Sequence, residues 1–202
     1  MLKKEHKFFE GYPNIDLQLL DTYLHGVYEQ MKFDGWFGDP SLNDELGMTV
    51  DISPKYNIFK YRNKEIEALK FSIIEMLKEA SEYYGYDFNN QKYIMTGWFN
   101  FWRKLRTDTI EEKAWHFHDK VGAPHFHGYY CVNAEPSITY YMINDVLVEN
   151  HNKNNRAILS ETNHAHAPGD WLEETDRITI AYDIVLASEV DQKDRNRWIE
   201  LW

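Results

Sequence analysis

The chain has 202 residues, 43% hydrophobic, 16% aromatic and 27% charged, which is long enough for one domain with a substantial core and too short for two ordinary ones. Lys and Arg number 22 and Asp and Glu 33, leaving a formal charge of −11. Nucleic acid and anionic membranes are held through a basic face, so this balance argues against either as a partner. In chain order, residues 14–31 place Leu17, Leu20, Leu24, Val27 and Met31 at three- and four-residue steps, which predicts a helix with Asn14 as its N-cap. The Gly-, Pro- and Asp-punctuated stretch FDGWFGDPSLND follows as loop. Its aromatic start, Phe33–Phe37, reads as a packed turn, with a lid as the alternative. Residues 63–84 carry Ile66, Leu69, Ile73, Leu77, Ala80 and Tyr84 on one stripe and predict a second helix closed by Gly85.

After Asn90 the texture changes. The segments 93–102, 128–133, 137–143, 145–150 and 177–187 are short, aromatic and β-branched, and they read as strands. Helices followed by a run of strands imply an α+β chain, mainly β: an antiparallel sandwich or jelly roll braced by N-terminal helices. One domain spans 1–202, with a helical support region at 1–90, a core at 91–187 and a tail at 188–202. That tail is expected to be a short helix returning Trp198 and Trp202 to the body. The single cysteine, Cys131, cannot form an internal disulfide. No apolar run approaches a membrane span, and MLKKEHKFFEGYP lacks the apolar core of a secretory signal. A cytoplasmic protein is expected.

Of nine histidines, seven lie between positions 116 and 166, and six of these form His116/His118, His125/His127 and His164/His166. Residues i and i+2 of a strand share a face, so each pair can present two imidazoles to one point. Neutral imidazole is the commonest ligand of a borderline transition metal, and a metal site is expected. Downstream, alternation puts Arg177, Thr179, Ala181 and Asp183 on one face and the greasier Ile178, Ile180, Tyr182 and Ile184 on the other. An Arg among small residues implies a polar pocket that grips a carboxylate, with Thr179 adding a hydrogen bond. A solvated edge Arg paired with Asp176 or Glu174 is the plainer alternative.

Taken in order, Gly97-Trp98-Phe99-Asn100, His116-Phe117-His118, His127-Gly128-Tyr129-Tyr130-Cys131-Val132, His164-Ala165-His166-Ala167-Pro168 and Arg177-Ile178-Thr179-Ile180-Ala181-Tyr182-Asp183 resemble the 2-oxoglutarate/iron(II)-dependent oxygenases. The likeness is to their prolyl-hydroxylase-like bacterial and phage group and covers residues 91–187. It implies a double-stranded β-helix whose mouth holds Fe(II), with 2-oxoglutarate and O2 as cosubstrates and succinate and CO2 as coproducts. His116 takes the place of the proximal histidine and His164 that of the distal one. Arg177, with Thr179 beside it, holds the cosubstrate's remote carboxylate. Tyr129, Tyr130 or Tyr140 donates a phenol hydrogen bond to it; Tyr130 is chosen. Trp98 and Asn100 line the pocket.

Most of that superfamily uses two histidines and one carboxylate, whereas the residue two after His116 is His118. The options are a three-histidine site, a bulge that turns Asp119 inward, or a carboxylate from elsewhere. The favoured set is His116, His118 and His164, with Asp119 and His166 as alternates. His166 competes because it lies 11 residues before Arg177, nearer the family spacing than the 13 from His164, while the register of Pro168 favours His164. The roles of His125 and His127 stay open. The substrate is expected to be a small molecule or a protein side chain. The competing classes are a cupin-like metalloenzyme without 2-oxoglutarate and a non-catalytic jelly-roll module.

Overall fold

The computed structural model describes residues 5–34, 48–49, 57–102, 109–111, 113, 115–118, 125–162 and 164–202. Within them the elements are β1 (Phe9–Gly11), α1 (Leu17–Phe33), β2 (Met48–Thr49), α2 (Lys64–Tyr84), β3 (Tyr93–Trp102), β4 (His125–Asn133), β5 (Ile138–Ile143), β6 (Val146–His151), β7 (Ala157–Glu161), β8 (Ala165–Pro168), β9 (Arg177–Leu186) and β10 (Ile199–Glu200). The loop expected from Phe33 onwards passes outside the described residues after Asp34.

Both helices start on a side-chain cap. Asp16, rather than Asn14, caps α1, its Oδ1 accepting from the backbone N–H of Gln18 and Leu19 at 3.0 and 3.1 Å. The helix cannot begin earlier because the Ile15 N–H is held by the Pro13 carbonyl in a tight turn. Asn63 caps α2 in the same way, and α2 ends on Gly85, whose φ of 80° suits glycine. Among the described residues no helix is long and apolar enough to cross a membrane.

The strands form two antiparallel sheets. The larger follows the order β1-β7-β4-β9-β3-β10, with β2 also pairing with β3; the smaller is β6-β5-β8. The central strands β3, β4 and β9 are buried on both faces, which explains their near-continuous aromatic and aliphatic sequences. One face meets the helices: Leu20, Leu24, Ile66, Leu69, Ile73 and Leu77 share a core with Phe99, Phe126, Tyr130, Ile178, Ile180, Tyr182 and Ile184. From the opposite face Trp98, Tyr129, Cys131 and Ala181 pack against Tyr141 of the smaller sheet. The face split expected along β9 is therefore the split observed.

Five strands went unread in the sequence: β1, β2, β7, β8 and β10. β1 and β7 pair with each other, and β7 also lines β4, while β8 pairs with β5. Each has at most five residues, and such segments are strands because a partner is waiting, not by propensity. In the tail, a 3-10 helix at Gln192–Arg197 leads into β10, which joins β3. Trp198 is buried beside Ile94, Val185 and Ala187, whereas Trp202 stays half exposed against Phe88 and Tyr93.

Candidate metal centre

The inter-sheet face of β3, β4 and β9 is laid out in rows by strand register. Thr96, Asp183 and His127 stand side by side, then Trp98, Ala181 and Tyr129, then Asn100, Thr179 and Cys131, with Arg177 beyond them. Two further imidazoles come from the segment ending at His118, and another from β8. His116 and His166 are joined by an isolated antiparallel bridge.

His116, His118 and His166 each offer a ring nitrogen, and these atoms lie within 4.8 Å of one another. Their ring centroids are 4.3 to 5.4 Å apart. The Nε2 of His118 is buried and has no hydrogen-bond partner among the described residues. A buried, unbonded imidazole nitrogen facing two more imidazoles is the donor set of a divalent transition metal, and it leaves coordination positions open. The residues therefore fit such an ion. A second group within the same limit is His118, His127 and Asp183. Asp183 Oδ1 is 3.1 Å from His118 Nδ1 and 3.0 Å from His127 Nδ1, while the His118 and His127 rings stack at 3.8 Å. Trp98 stacks on the other side of this array, 5.7 Å from His118.

The electrostatics keep His127 and His166 neutral. Burial, and then His118, lower the pKa of His127 to about 3. Burial, followed by His127, His116 and His118, takes His166 well below its usual value. For Asp183 burial opposes ionisation, but the hydrogen bonds from His118 and His127 prevail and hold it below the ordinary carboxylate range.

Arg177 is 4% exposed, so it is not a solvated edge residue. Burial lowers its pKa, and among the described residues the titratable groups facing it are Cys131 and Tyr129 rather than a carboxylate. Its Nε donates to Ser137 Oγ at 3.0 Å. Ser137 is fixed in turn by Ala134 and Asn152, and Asn152 Oδ1 accepts from Tyr129 and Thr139. Thr179 Oγ1 accepts from Asn100 Nδ2 at 3.3 Å. This network holds Arg177 by one edge of its guanidinium. Nearby, the Tyr141 hydroxyl is buried with no partner among the described residues other than the neighbouring Tyr129 hydroxyl, and its ring lies 5.5 Å from that of His166.

The structure thus assembles His116, His118 and His166, and it sets His164 elsewhere. The His164 ring packs edge-on against His6 at 4.3 Å, before β8 begins, so His166 takes the place in the cluster that the sequence reading gave first to His164. Asp119 lies outside the described residues. Arg177 and Thr179 share the inter-sheet face, but Tyr130 does not. Strand parity turns Tyr130 into the helix-side core, where its hydroxyl donates to Asn155 at 2.7 Å, and Tyr140 is turned away from its buried neighbour Tyr141. Reasoning from sequence missed Tyr141 and the link from Asp183 to the histidines. For Asp183 the signal was present, because alternation already put it on the face of Arg177.

No protein-family model and no curated protein sequence matches the chain. Solved structures share its fold. A non-heme alpha ketoglutarate dependent carbocyclase, SnoK from nogalamycin biosynthesis, superposes with a TM-score of 0.59 at 8% identity, covering 89% of this chain and 79% of that one. A prolyl-4-hydroxylase from Pseudomonas putida gives 0.51 at 7%, covering 89% and 92%. The non-heme monooxygenase ThoJ, in complex with nickel, gives 0.55 at 13%, covering 90% and 74%. One of these is alpha ketoglutarate dependent, one is a prolyl hydroxylase and one a non-heme monooxygenase, and at such identities the likeness is one of fold.

Proposed function

We propose that the chain is a 2-oxoglutarate- and Fe(II)-dependent dioxygenase, built as a double-stranded β-helix (jelly roll), that hydroxylates a C–H bond of a small molecule or protein side chain. The observation that carries this reading is the pairing, between two sheets of that shared fold, of a three-histidine cluster with a buried Arg177 that faces no carboxylate among the described residues. His116, His118 and His166 would hold the iron, because their ring nitrogens lie within 4.8 Å of one another and the buried His118 Nε2 has no partner among the described residues, whereas His127 is engaged at Nδ1 by Asp183. When bound, the metal supplies the activation of O2, of which one atom enters succinate as CO2 leaves and the other enters the hydroxylated product.

The chain's residues do the positioning. Arg177, held at Nε by Ser137, offers its outer N–H groups to the remote carboxylate of 2-oxoglutarate. The Tyr141 phenol, whose only hydroxyl partner among the described residues is that of Tyr129, is the one available to the cosubstrate, since those of Tyr129 and Tyr130 already donate to Asn152 and Asn155. Trp98, Ala181 and Tyr129 wall the pocket and exclude water. His116 is exposed, and this is the side from which a substrate reaches the site. The buried, unpaired Cys131 suits a reducing, cytoplasmic setting, and neither nucleic acid nor membrane is assigned as a partner.

The test is anaerobic titration of the iron-loaded protein with 2-oxoglutarate. A saturable visible charge-transfer band is expected, and bound iron without a band overturns the reading. That outcome favours a cupin-like metalloenzyme without 2-oxoglutarate, the second reading, for which the absence of a carboxylate from the three-histidine set speaks.

A further inference from the structure

Asp183 is a buried carboxylate on the central strand β9, placed by register directly opposite His127 on β4 and Thr96 on β3. It touches Nδ1 of two histidines, with Oδ1 at 3.1 Å from His118 and 3.0 Å from His127, and Oδ2 at 3.2 Å from His118. An ionised carboxylate only accepts, so both Nδ1 atoms must carry hydrogen, which in a neutral imidazole leaves the lone pair on Nε2. His118 Nε2 is the buried nitrogen without a partner, and the His127 ring stacked at 3.8 Å prevents His118 from turning.

We propose that Asp183 is a positioning residue for the metal centre: by accepting from Nδ1 of His118 and His127 it fixes the tautomer and direction of His118, and it places one negative charge directly behind a ligand set that carries none. This rests on the metal-centre reading above. The charge makes His118 a stronger donor, as a carboxylate behind a metal-bound imidazole generally does. Asn at this position keeps the shape but removes the charge and sets an NH2 group against an imidazole N–H in either orientation, since Oδ1 faces both Nδ1 atoms and Oδ2 faces His118, so the shared acceptance is weakened.

The experiment uses the full chain, labelled with 15N-histidine, and zinc(II) as the probe. In the metal-free wild type, histidine 15N–1H spectra at neutral pH should show His118 and His127 protonated at Nδ1, and added zinc should shift His118 Nε2 while its Nδ1–H remains. Asp183→Asn should disturb that tautomer pattern and weaken zinc, measured against a chromophoric chelator, by about 10- to 100-fold. Unchanged tautomers with unchanged zinc affinity in Asp183→Asn overturn the inference alone. So does a wild type in which zinc sits on His118 Nδ1, since Asp183 would then not be bonded there; this measurement decides even if the variant fails to fold. A wild type that keeps the Nδ1–H pattern but binds no zinc overturns the inference together with the metal-centre reading.

Discussion

His116 and His166 face each other across an antiparallel bridge, exchanging backbone N–H···O bonds of 3.0 and 2.8 Å. Residues opposed in this way project their side chains to the same side, and here the two rings come within 4.3 Å. The bridge therefore does two things: it ties the segment before β4 to the smaller sheet, and it selects which member of the His164/His166 pair joins the cluster.

The histidine variants separate the ligand sets. His166→Ala and His116→Ala should each abolish stoichiometric iron binding, while His164→Ala should keep it, as measured by metal analysis of the purified proteins. His116 is exposed and contributes little packing, so its variant should lose less than about 0.5 kcal/mol of stability. Iron retained in His166→Ala but lost in His127→Ala would move the ion to the His118, His127 and Asp183 group.

Arg177→Ala should leave iron content unchanged and raise the 2-oxoglutarate requirement by roughly 10- to 100-fold, the loss of one or two charge-assisted hydrogen bonds. The titration described above reads this directly. An unchanged half-saturation point would remove Arg177 from the cosubstrate site.

Two tyrosines should behave in opposite ways. Tyr141→Phe removes a buried hydroxyl whose only partner among the described residues is the Tyr129 hydroxyl, so it should change stability by less than about 1 kcal/mol while it weakens 2-oxoglutarate binding. Tyr130→Phe breaks the bond to Asn155 and should cost about 1 kcal/mol in urea unfolding with no effect on 2-oxoglutarate.

Acid should destabilise the metal-free protein early. His127 is lowered to about 3 and His166 lies well below its usual value, both chiefly through burial. Below about pH 6.5 the unfolded chain takes up protons that the folded chain refuses, so stability is full above that pH and declines as the pH falls. Each histidine contributes a slope of up to about 1.4 kcal/mol per pH unit. Asp183 acts lower down: its pKa is depressed, so its contribution holds above about 3.9 and is lost only as the pH drops further. Urea midpoints that stay level from about pH 6.5 to 4.5 would contradict this.

Gly128 lies in the middle of β4, where an added Cβ would come 2.1 Å from the Ile158 carbonyl oxygen and 2.4 Å from the Tyr182 ring. Gly128→Ala should destabilise by about 1–3 kcal/mol, because a backbone oxygen cannot move aside as a flexible side chain can. Thermal unfolding compared with Gly26→Ala, where a Cβ meets nothing within 4 Å, provides the control.

What the sequence determined by itself was local. The i, i+3, i+4 stripes specified α2 and most of α1, and period-two alternation divided β9 into Ile178, Ile180, Tyr182 and Ile184 toward the helices and Arg177, Thr179, Ala181 and Asp183 toward the pocket. Both periods come from backbone geometry within a few residues, so they need no knowledge of the rest of the chain. The choice of His166 over His164, the turning of Tyr130 into the core and the meeting of Asp183 with two histidines are of another kind. Asp183 lies 65 residues from His118 and 56 from His127. Only the register between paired strands brings such residues together, and a slip of one residue exchanges every side chain between the two faces.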